Sequence, residues 1–263
     1  MSNKLWQFTS SRDWNNSSYK GFYSESQEKI KYEKNENTKR NIDLVHLKYT
    51  NEELKSISKI SALEIQEPKK ELFINSLKNA KITHFAGHAI SKEAEPNSSF
   101  LVLNNQLSEL KDKLSLFEIY KLKCRNDLVV LSACDTSRGK LYESEGVTSL
   151  ARAFFYAGAK SVISTLWSVN DRSTSIIMTE FYKELLKGKR KDEALRQAKL
   201  TYLENADPEY QHPYYWAGFI AMGDMSPLFY PKRKWYYIGF VLIGLFLISF
   251  WYRKKITSTR LAA

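Results

Sequence analysis

The chain has 263 residues, of which 43% are hydrophobic and 14% aromatic. This composition provides enough apolar surface for one large domain with its own core, and it excludes a chain that is disordered throughout. The 40 Lys and Arg residues against 29 Asp and Glu residues give a formal charge of +11. Seven of the basic residues and none of the acidic ones lie in residues 231–263, which leaves +4 for residues 1–230. Because the excess charge is concentrated at the C-terminus, we expect no nucleic-acid partner.

Residues 1–41 are predicted to form a polar N-terminal segment, since residues 24–40 carry five basic and four acidic residues. From residue 42 to residue 230, strand-like apolar runs alternate with segments of helical periodicity. This order predicts an α/β domain with a mostly parallel sheet between two layers of helices. The predicted strands cover residues 42–49, 81–88, 100–103, 128–133, 161–166 and 214–221, and the predicted helices cover residues 68–77, 114–123, 145–156, 172–186 and 192–205.

Two of the predicted strands lead to residues with reactive side chains. The run KITHFAGHA reaches His88, and the run DLVVLSAC reaches Cys134. Ligand sites of parallel sheets lie at the carboxyl ends of strands, and neighbouring strands are about 5 Å apart, so we expect the two residues to meet at one edge. An imidazole beside a thiol removes its proton or stabilises the thiolate, which makes cysteine a nucleophile at neutral pH. The backbone N–H groups of Ala89 and Cys134 would then bind the oxyanion.

The alternative for Cys134 is a small core residue in an apolar strand. Cys124 is predicted to be structural, and a strand of about 20 Å between the two thiols excludes a disulfide. His46, His84 and His212 are expected to be hydrogen-bonded polar residues and not catalysts. The His and Cys residues lack the spacing of a metal site, and the sequence has no Gly-rich phosphate loop. We therefore predict neither a metal nor a cofactor.

Residues 235–252, WYYIGFVLIGLFLISFWY, form an uncharged apolar run with aromatic residues at both ends. Basic clusters lie on both sides of this run. The pattern predicts a transmembrane helix, and a buried core helix is the alternative. Three basic residues precede the run and four follow it, and these similar numbers do not decide which end of the helix faces the cytoplasm. Because the N-terminal residues lack the apolar stretch of a secretory signal, we expect residues 231–263 to be a tail anchor and the large domain to face the cytoplasm.

An ordered series of motifs resembles the CHAT domain family, caspase-like peptidase domains often found with tetratricopeptide repeats. The motifs are HFAGHA, LSACDTSRG, EGVTSLARAFFYAGAKSVISTLWSVND, FYKELLKG, DEALRQAK and HPYYWAGFIAMGD, from about residue 49 to residue 224. The resemblance implies a caspase–separase type of fold and a cysteine peptidase whose catalytic His is His88 and whose nucleophile is Cys134. The chain departs from the family at Ala89, where Gly usually follows the catalytic His. The polar N-terminal segment is too short for a pair of tetratricopeptide repeats.

The resemblance also concerns the substrate residue before the scissile bond. Metacaspases, distant relatives that cleave after Arg or Lys, carry an acid two positions before the nucleophile, where this chain has Ser132. Residues 166–171, LWSVND, resemble a tract of separases, which also cleave after Arg. Asp171 is therefore a candidate partner for a basic substrate side chain. The alternative for Asp171 is the N-cap of the next helix.

Together these patterns predict a membrane-tethered cysteine endopeptidase that acts on a protein substrate with a His88 and Cys134 pair. The resemblance implies regulation by a partner, such as an activating sensor protein, in bacterial stress or antiviral signalling. The alternative from another functional class is a catalytically silent caspase-like domain that serves as an interaction module at the membrane.

Overall fold

The computed structural model describes residues 19–23, 29–33, 39–43, 47–90, 99–103, 113–135 and 145–230, and residues 243 and 245 near the C-terminus. In chain order the elements are β1 (Tyr19–Tyr23), β2 (Lys29–Glu33), β3 (Lys39–Asp43), α1 (Thr50–Ile60), β4 (Glu64–Gln66), α2 (Lys70–Asn79), β5 (Ile82–Ile90), β6 (Phe100–Val102), β7 (Lys113–Ser115), α3 (Leu116–Tyr120), β8 (Leu128–Asp135), α4 (Glu145–Tyr156), β9 (Ser161–Thr165), α5 (Asp171–Leu186), α6 (Lys191–Asn205) and β10 (Phe219–Gly223). Two 3-10 turns, Pro208–Tyr210 and Pro213–Tyr215, precede β10.

Eight strands of the described ranges form one sheet, in which the main order is β10-β9-β8-β5-β1-β4. Strands β4, β1, β5, β8 and β9 are parallel. Strand β10 runs antiparallel to β9, and β6 runs antiparallel to the last residues of β5 and pairs with β7. Strands β2 and β3 pair with each other in a separate antiparallel sheet. The predicted mostly parallel α/β architecture is therefore confirmed.

Helices cover both faces of the sheet, because the central strands are apolar on both faces. Every residue of β5 is buried. Helices α1, α5 and α6 pack on one face, and α2, α3 and α4 pack on the other. In the second layer the Phe73 ring lies edge-on to the rings of Phe22 and Phe85, with centroids 5.1 and 5.6 Å apart. These contacts hold α2 against β1 and β5.

The register of β5 and β8 is established where the two strands begin. The backbone oxygen of Lys81 accepts hydrogen bonds from the N–H groups of Asp127 at 2.7 Å and Leu128 at 3.1 Å. Ile82 then pairs with Leu128, and the parallel pairing continues to the ends of both strands. Since a slip of one residue would move every side chain of a strand to the other face, this starting point decides which residues meet at the far end.

Replacing Asn126 with alanine should destabilise the domain by about 2 kcal/mol. The buried Asn126 amide donates hydrogen bonds to Ala80 O at 2.8 Å, Thr83 Oγ1 at 3.0 Å and, more weakly, Ser76 O at 3.3 Å. Its loss removes the donor from Ala80 O and Thr83 Oγ1, which costs about 1–3 kcal/mol for a buried group left without a partner, whereas Ser76 O keeps the Ala80 N–H. Asn79→Ala is the matched control, because Asn79 is exposed and should change stability by less than about 0.5 kcal/mol. Equal unfolding midpoints in urea for the two variants would contradict the assignment.

Strand β1 differs from the sequence-based expectation, which placed residues 1–41 outside the domain. The strand lies inside the sheet, between β4 and β5. Its centre is Gly21, where a Cβ atom would lie 2.6 Å from Leu63 Cδ2 and 3.2 Å from Leu54 Cδ2. The strand is short, and its two buried aromatic residues, Tyr19 and Phe22, pack into opposite layers. It therefore lacks the two-residue alternation by which hydrophobic periodicity reveals a strand.

Two other predicted strands were wrong in part. The strand predicted over residues 42–49 is interrupted, because β3 ends at Asp43 and a turn in which Thr50 Oγ1 donates to Leu47 O opens α1. The last strand begins at Phe219 and not at residue 214, because Pro213 starts a 3-10 turn.

The chain divides into two compact units, Met1–Phe229 and Tyr230–Ala263. Among the residues that the structure describes, no helix has the length and apolar character needed to cross a membrane. The predicted membrane-spanning segment, residues 235–252, lies outside the described residues except at positions 243 and 245.

Candidate functional site

The carboxyl edge of the sheet, where the parallel strands end, brings His88 and Cys134 together. His88 of β5 is the register partner of Cys134 of β8, and adjacent strands are about 5 Å apart. On its other side His88 pairs with Val102 of β6. The expected meeting of the two residues at one edge of neighbouring strands is confirmed. Their catalytic roles stay a prediction.

His88 and Ala89 lie in a part of β5 that has a strand on each side. His88 is fully buried. Ala89 pairs with Asp135 of β8 and with Leu101 of β6. Backbone N–H groups of a strand paired on both sides point to its neighbours. An oxyanion role for the Ala89 N–H therefore requires the ladder to open at this residue.

A buried polar network lies close to the pair. Glu53 of α1 is fully buried, and its Oε1 lies 2.8 Å from His84 Nε2. Its Oε2 accepts a hydrogen bond from Ser132 Oγ at 3.1 Å. The other ring nitrogen of His84, Nδ1, lies 3.0 Å from the hydroxyl oxygen of Tyr182. The network thus joins α1, β5, β8 and α5.

Tyr182 determines where the protons of this network lie. Burial, with a smaller contribution from the charge of Glu53, raises the pKa of Tyr182 well above its ordinary value. The phenol therefore keeps its proton and can donate it to Nδ1 of His84. The His84 proton is then on Nε2 and is donated to Glu53, whose other oxygen accepts from Ser132. This arrangement gives every donor an acceptor.

The network lies on the same face of the sheet as the His88 and Cys134 pair, nearer the amino ends of the strands. Ser132 precedes Cys134 by two residues and His84 precedes His88 by four, and strand positions an even number apart share a face. The expectation that His84 is a hydrogen-bonded polar residue is confirmed. Sequence reasoning missed Glu53, because the stretch NEELKS is typical of an exposed helix start and carries no signal of burial.

Asp171 begins α5, shortly after β9 ends. Its Oδ2 accepts a hydrogen bond from the backbone N–H of Tyr49 at 2.6 Å. The N-cap of α5 is Asn170, whose side chain accepts from the Ser173 N–H at 3.1 Å. The N-cap alternative for Asp171 was therefore wrong, and Asp171 instead joins the N-termini of α1 and α5. Its role in substrate binding stays a prediction.

The remaining candidates have no catalytic surroundings in the described parts of the chain. Cys124 is buried, and burial raises the pKa of its thiol to about 11. His212 is exposed, and its Nδ1 accepts a hydrogen bond from the Tyr214 N–H. His46 lies outside the described residues. Within the ranges that the structure describes, no cluster of three His, Cys, Asp or Glu residues could hold a metal ion.

The sequence model of the CHAT domain matches residues 16–224, which include β1 and continue through β10. The chain belongs to the CHAT domain family. Similar proteins include tetratricopeptide repeat protein 28 of Homo sapiens, which is 33% identical over 110 residues, and that of Mus musculus, which is 31% identical over 110 residues. The aligned part is 42% of this chain but only 4% of each relative.

The CHAT domain also resembles two solved structures in fold. The Arg-specific cysteine proteinase gingipain R matches with a TM-score of 0.49 and 10% identity, over 81% of this chain and 48% of that chain. The separase–securin complex of Saccharomyces cerevisiae matches with a TM-score of 0.45 and 14% identity, over 79% of this chain and 12% of that chain. At such identities the likeness concerns the fold alone.

Proposed function

We propose that this CHAT domain is a cysteine endopeptidase in which Cys134 is the nucleophile and His88 the general base and acid. The observation that supports the proposal is the register of the central strands, which pairs His88 with Cys134 at the carboxyl edge. At a strand spacing of about 5 Å, an imidazole and a thiol at paired positions are close enough to exchange a proton. The family to which the chain belongs supports the same chemistry.

In the proposed reaction the Cys134 thiolate attacks the scissile carbonyl carbon, and the backbone N–H groups of Cys134 and Ala89 bind the resulting oxyanion. His88 carries the proton taken from the thiol and gives it to the leaving amine as the C–N bond breaks. Water then attacks the thioester, His88 accepts a proton from that water, and the thiol is restored when the carboxylic acid leaves. This cycle requires no cofactor.

We place the substrate, a protein, near a membrane. The apolar residues 235–252 and their basic flanks support a tail anchor formed by residues 231–263. We propose that the CHAT domain faces the cytoplasm. The resemblance to regulated family members supports control by an activating sensor protein in bacterial stress or antiviral signalling. A domain without catalytic activity would instead serve as an interaction module, and the thiol measurement below separates the two functions.

For specificity, we propose that Asp171 favours substrates with Arg or Lys before the scissile bond. Asp171 follows the end of β9 by six positions, β9 neighbours β8, and the carboxylate already binds one N–H donor. Cleavage of a peptide library that varies only at this substrate position should favour Arg and Lys at least tenfold, and Asp171→Asn should reduce this preference. A preference for Asp or for apolar residues would contradict the proposal.

The direct test is the pH dependence of alkylation of Cys134 in the full chain. We expect Cys134 to react with iodoacetamide below pH 7 at least about 100-fold faster than Cys124, because a neighbouring imidazole lowers a thiol pKa to about 7 or below. Cys124 is an internal reference, since its pKa of about 11 leaves almost no thiolate at neutral pH. In His88→Ala the advantage of Cys134 should disappear. A Cys134 that reacts no faster than Cys124 would indicate the silent interaction module.

A further inference from the structure

The amino edge of the sheet, where the parallel strands begin, lies opposite the His88 and Cys134 pair. Strand β5 starts there at Ile82 and reaches His88 six residues later, a distance of about 20 Å. Strands β8 and β9 start there too, at Leu128 and Ser161. A ligand at this edge would leave the carboxyl edge open to substrate.

Four large aromatic side chains are exposed near the amino edge on α3 and α4, and we call them the aromatic patch: Phe117, Tyr120, Phe155 and Tyr156. Their exposed fractions are 58%, 40%, 50% and 76% respectively. The rings of Tyr120 and Tyr156 are in contact, with centroids 5.4 Å apart, and Lys121 Nζ lies 4.0 Å from the centre of the Phe117 ring. Exposed groups of apolar side chains mark interaction sites, and aromatic rings next to ammonium groups suit the membrane interface.

The same edge is basic. The loops that lead into β5, β8 and β9, residues 80–81, 121–127 and 157–160, contain five basic residues and one acidic residue. All five basic residues are exposed: Lys81, Lys121, Lys123, Arg125 and Lys160. The acidic residue, Asp127, forms an ion pair with Lys160 at 2.7 Å. Asp224, exposed after β10 at the same edge, adds one more negative charge near Lys160. The surface still keeps a positive excess that attracts anionic headgroups.

The described part of the first unit also ends at the amino edge. After β10, Lys191 Nζ donates hydrogen bonds to Asp224 O at 2.8 Å and Ser226 O at 2.9 Å. The ring of Phe229 then packs 6.0 Å from the ring of Tyr19, the first residue of β1. Five residues separate Phe229 from the apolar run at 235–252, and they span at most about 20 Å.

We propose that the amino edge binds an anionic lipid membrane through the aromatic patch and the five basic side chains, so that the His88 and Cys134 pair lies on the side away from the bilayer. The inference rests on the membrane tether proposed above. Nucleic acids also bind basic surfaces with exposed aromatic rings. The lipid is favoured here because a five-residue connection keeps Phe229 near a bilayer that holds residues 235–252.

The test uses the full chain in anionic vesicles, in which phosphatidylcholine is mixed with phosphatidylglycerol at a ratio of about two to one, or in vesicles of phosphatidylcholine alone. Tyr156→Cys in a Cys134→Ala background provides one labelling position for an environment-sensitive dye, since Cys124 is buried and its pKa of about 11 prevents its reaction. Glu52→Cys in the same background is the matched control, because Glu52 is exposed in the first turn of α1. The N-terminus of α1 contacts that of α5, which follows the carboxyl end of β9, so position 52 is far from the amino edge.

We expect the dye at position 156 to shift its emission to the blue and to become at least fivefold less accessible to iodide in the anionic vesicles. The dye at position 52 should change little. Lys81→Gln with Lys123→Gln should reverse most of the change at position 156, whereas Lys55→Gln with Arg196→Gln, which are exposed on α1 and α6, should not.

Three results would overturn the inference. They are equal changes at positions 156 and 52, a change at position 156 that survives Lys81→Gln with Lys123→Gln, and displacement of the dye signal by a single-stranded oligonucleotide, which would assign the edge to nucleic acid. Failure of the tether is distinguishable, because the chain would then not sediment with vesicles of phosphatidylcholine alone. Alkylation of Cys134 in the native chain reports the peptidase proposal independently of both.

Discussion

Replacing Cys134 with alanine should lower the rate of peptide hydrolysis by the full chain by at least about 10³-fold. Without the thiol no thioester can form, and the remaining oxyanion donors and substrate contacts provide only a small residual rate. The substrate for the measurement is the preferred member of the peptide library described above. The substitution should leave the unfolding free energy within about 1 kcal/mol of the native value, because it removes one sulfur atom near the end of β8.

Cys124→Ala is the matched control, since it changes the other cysteine of the chain and leaves the carboxyl edge intact. Burial makes Cys124 a core residue, so its loss should lower stability but not the rate per folded molecule. His88→Ala should reduce hydrolysis to nearly the same level as Cys134→Ala, and the double variant should be no slower than either one, since the two residues act as a unit. Rates of Cys134→Ala within tenfold of the native chain would disprove the nucleophile assignment.

Replacing Glu53 with alanine should lower the free energy of unfolding by about 3 kcal/mol. The change leaves the Ser132 hydroxyl and the His84 N–H buried without acceptors, at about 1–3 kcal/mol each, and it removes packed atoms at a fully buried position. The loss is partly offset because a polar carboxyl group no longer has to be buried. Denaturation in urea with far-UV and near-UV probes would measure the effect.

Glu52→Ala is the control for this prediction, because Glu52 neighbours Glu53 on α1 but is exposed. It should change the unfolding free energy by less than about 0.5 kcal/mol. Glu53→Gln keeps the volume but presents an amide nitrogen to one of the two donors, so it should fall between the native chain and Glu53→Ala. If Glu53→Ala and Glu52→Ala unfold at the same urea concentration, Glu53 does not accept the two hydrogen bonds.

The central sheet and the position of its candidate site could be predicted because both depend on local signals. Strand β8 begins with the apolar run LVVL, which a strand covered on both faces requires, and β5 is the run ITHFAGHAI that includes His88. His88 and Cys134 were found because reactive side chains stand at the carboxyl ends of these runs. Their pairing followed from the general geometry of parallel sheets and needed no knowledge of the loops.

The parts that escaped prediction depend on contacts between segments distant in the sequence. Strand β1 has five residues, and its buried Tyr19 and Phe22 pack into opposite layers, so the strand lacks the alternation that predicts a half-buried strand. Glu53 is buried because its network is completed by side chains from β5, β8 and α5, all of which are far from α1 in the sequence. A helix start rich in Glu is normally solvated, so only the assembled structure distinguishes Glu53 from its exposed neighbour.

The hydrogen bonds from Asp127 and Leu128 to the oxygen of Lys81 also limit how the length of this chain can vary. His88 stands seven positions after Lys81, and Cys134 stands seven positions after Asp127. Insertions in the loop before Asp127 leave these two counts unchanged, and the loop can absorb them. A single deletion inside either strand makes the counts unequal and moves one reactive residue to the opposite face. Tolerance to insertion and deletion should therefore change abruptly at residues 81 and 127, although both positions lie about 20 Å from the chemistry.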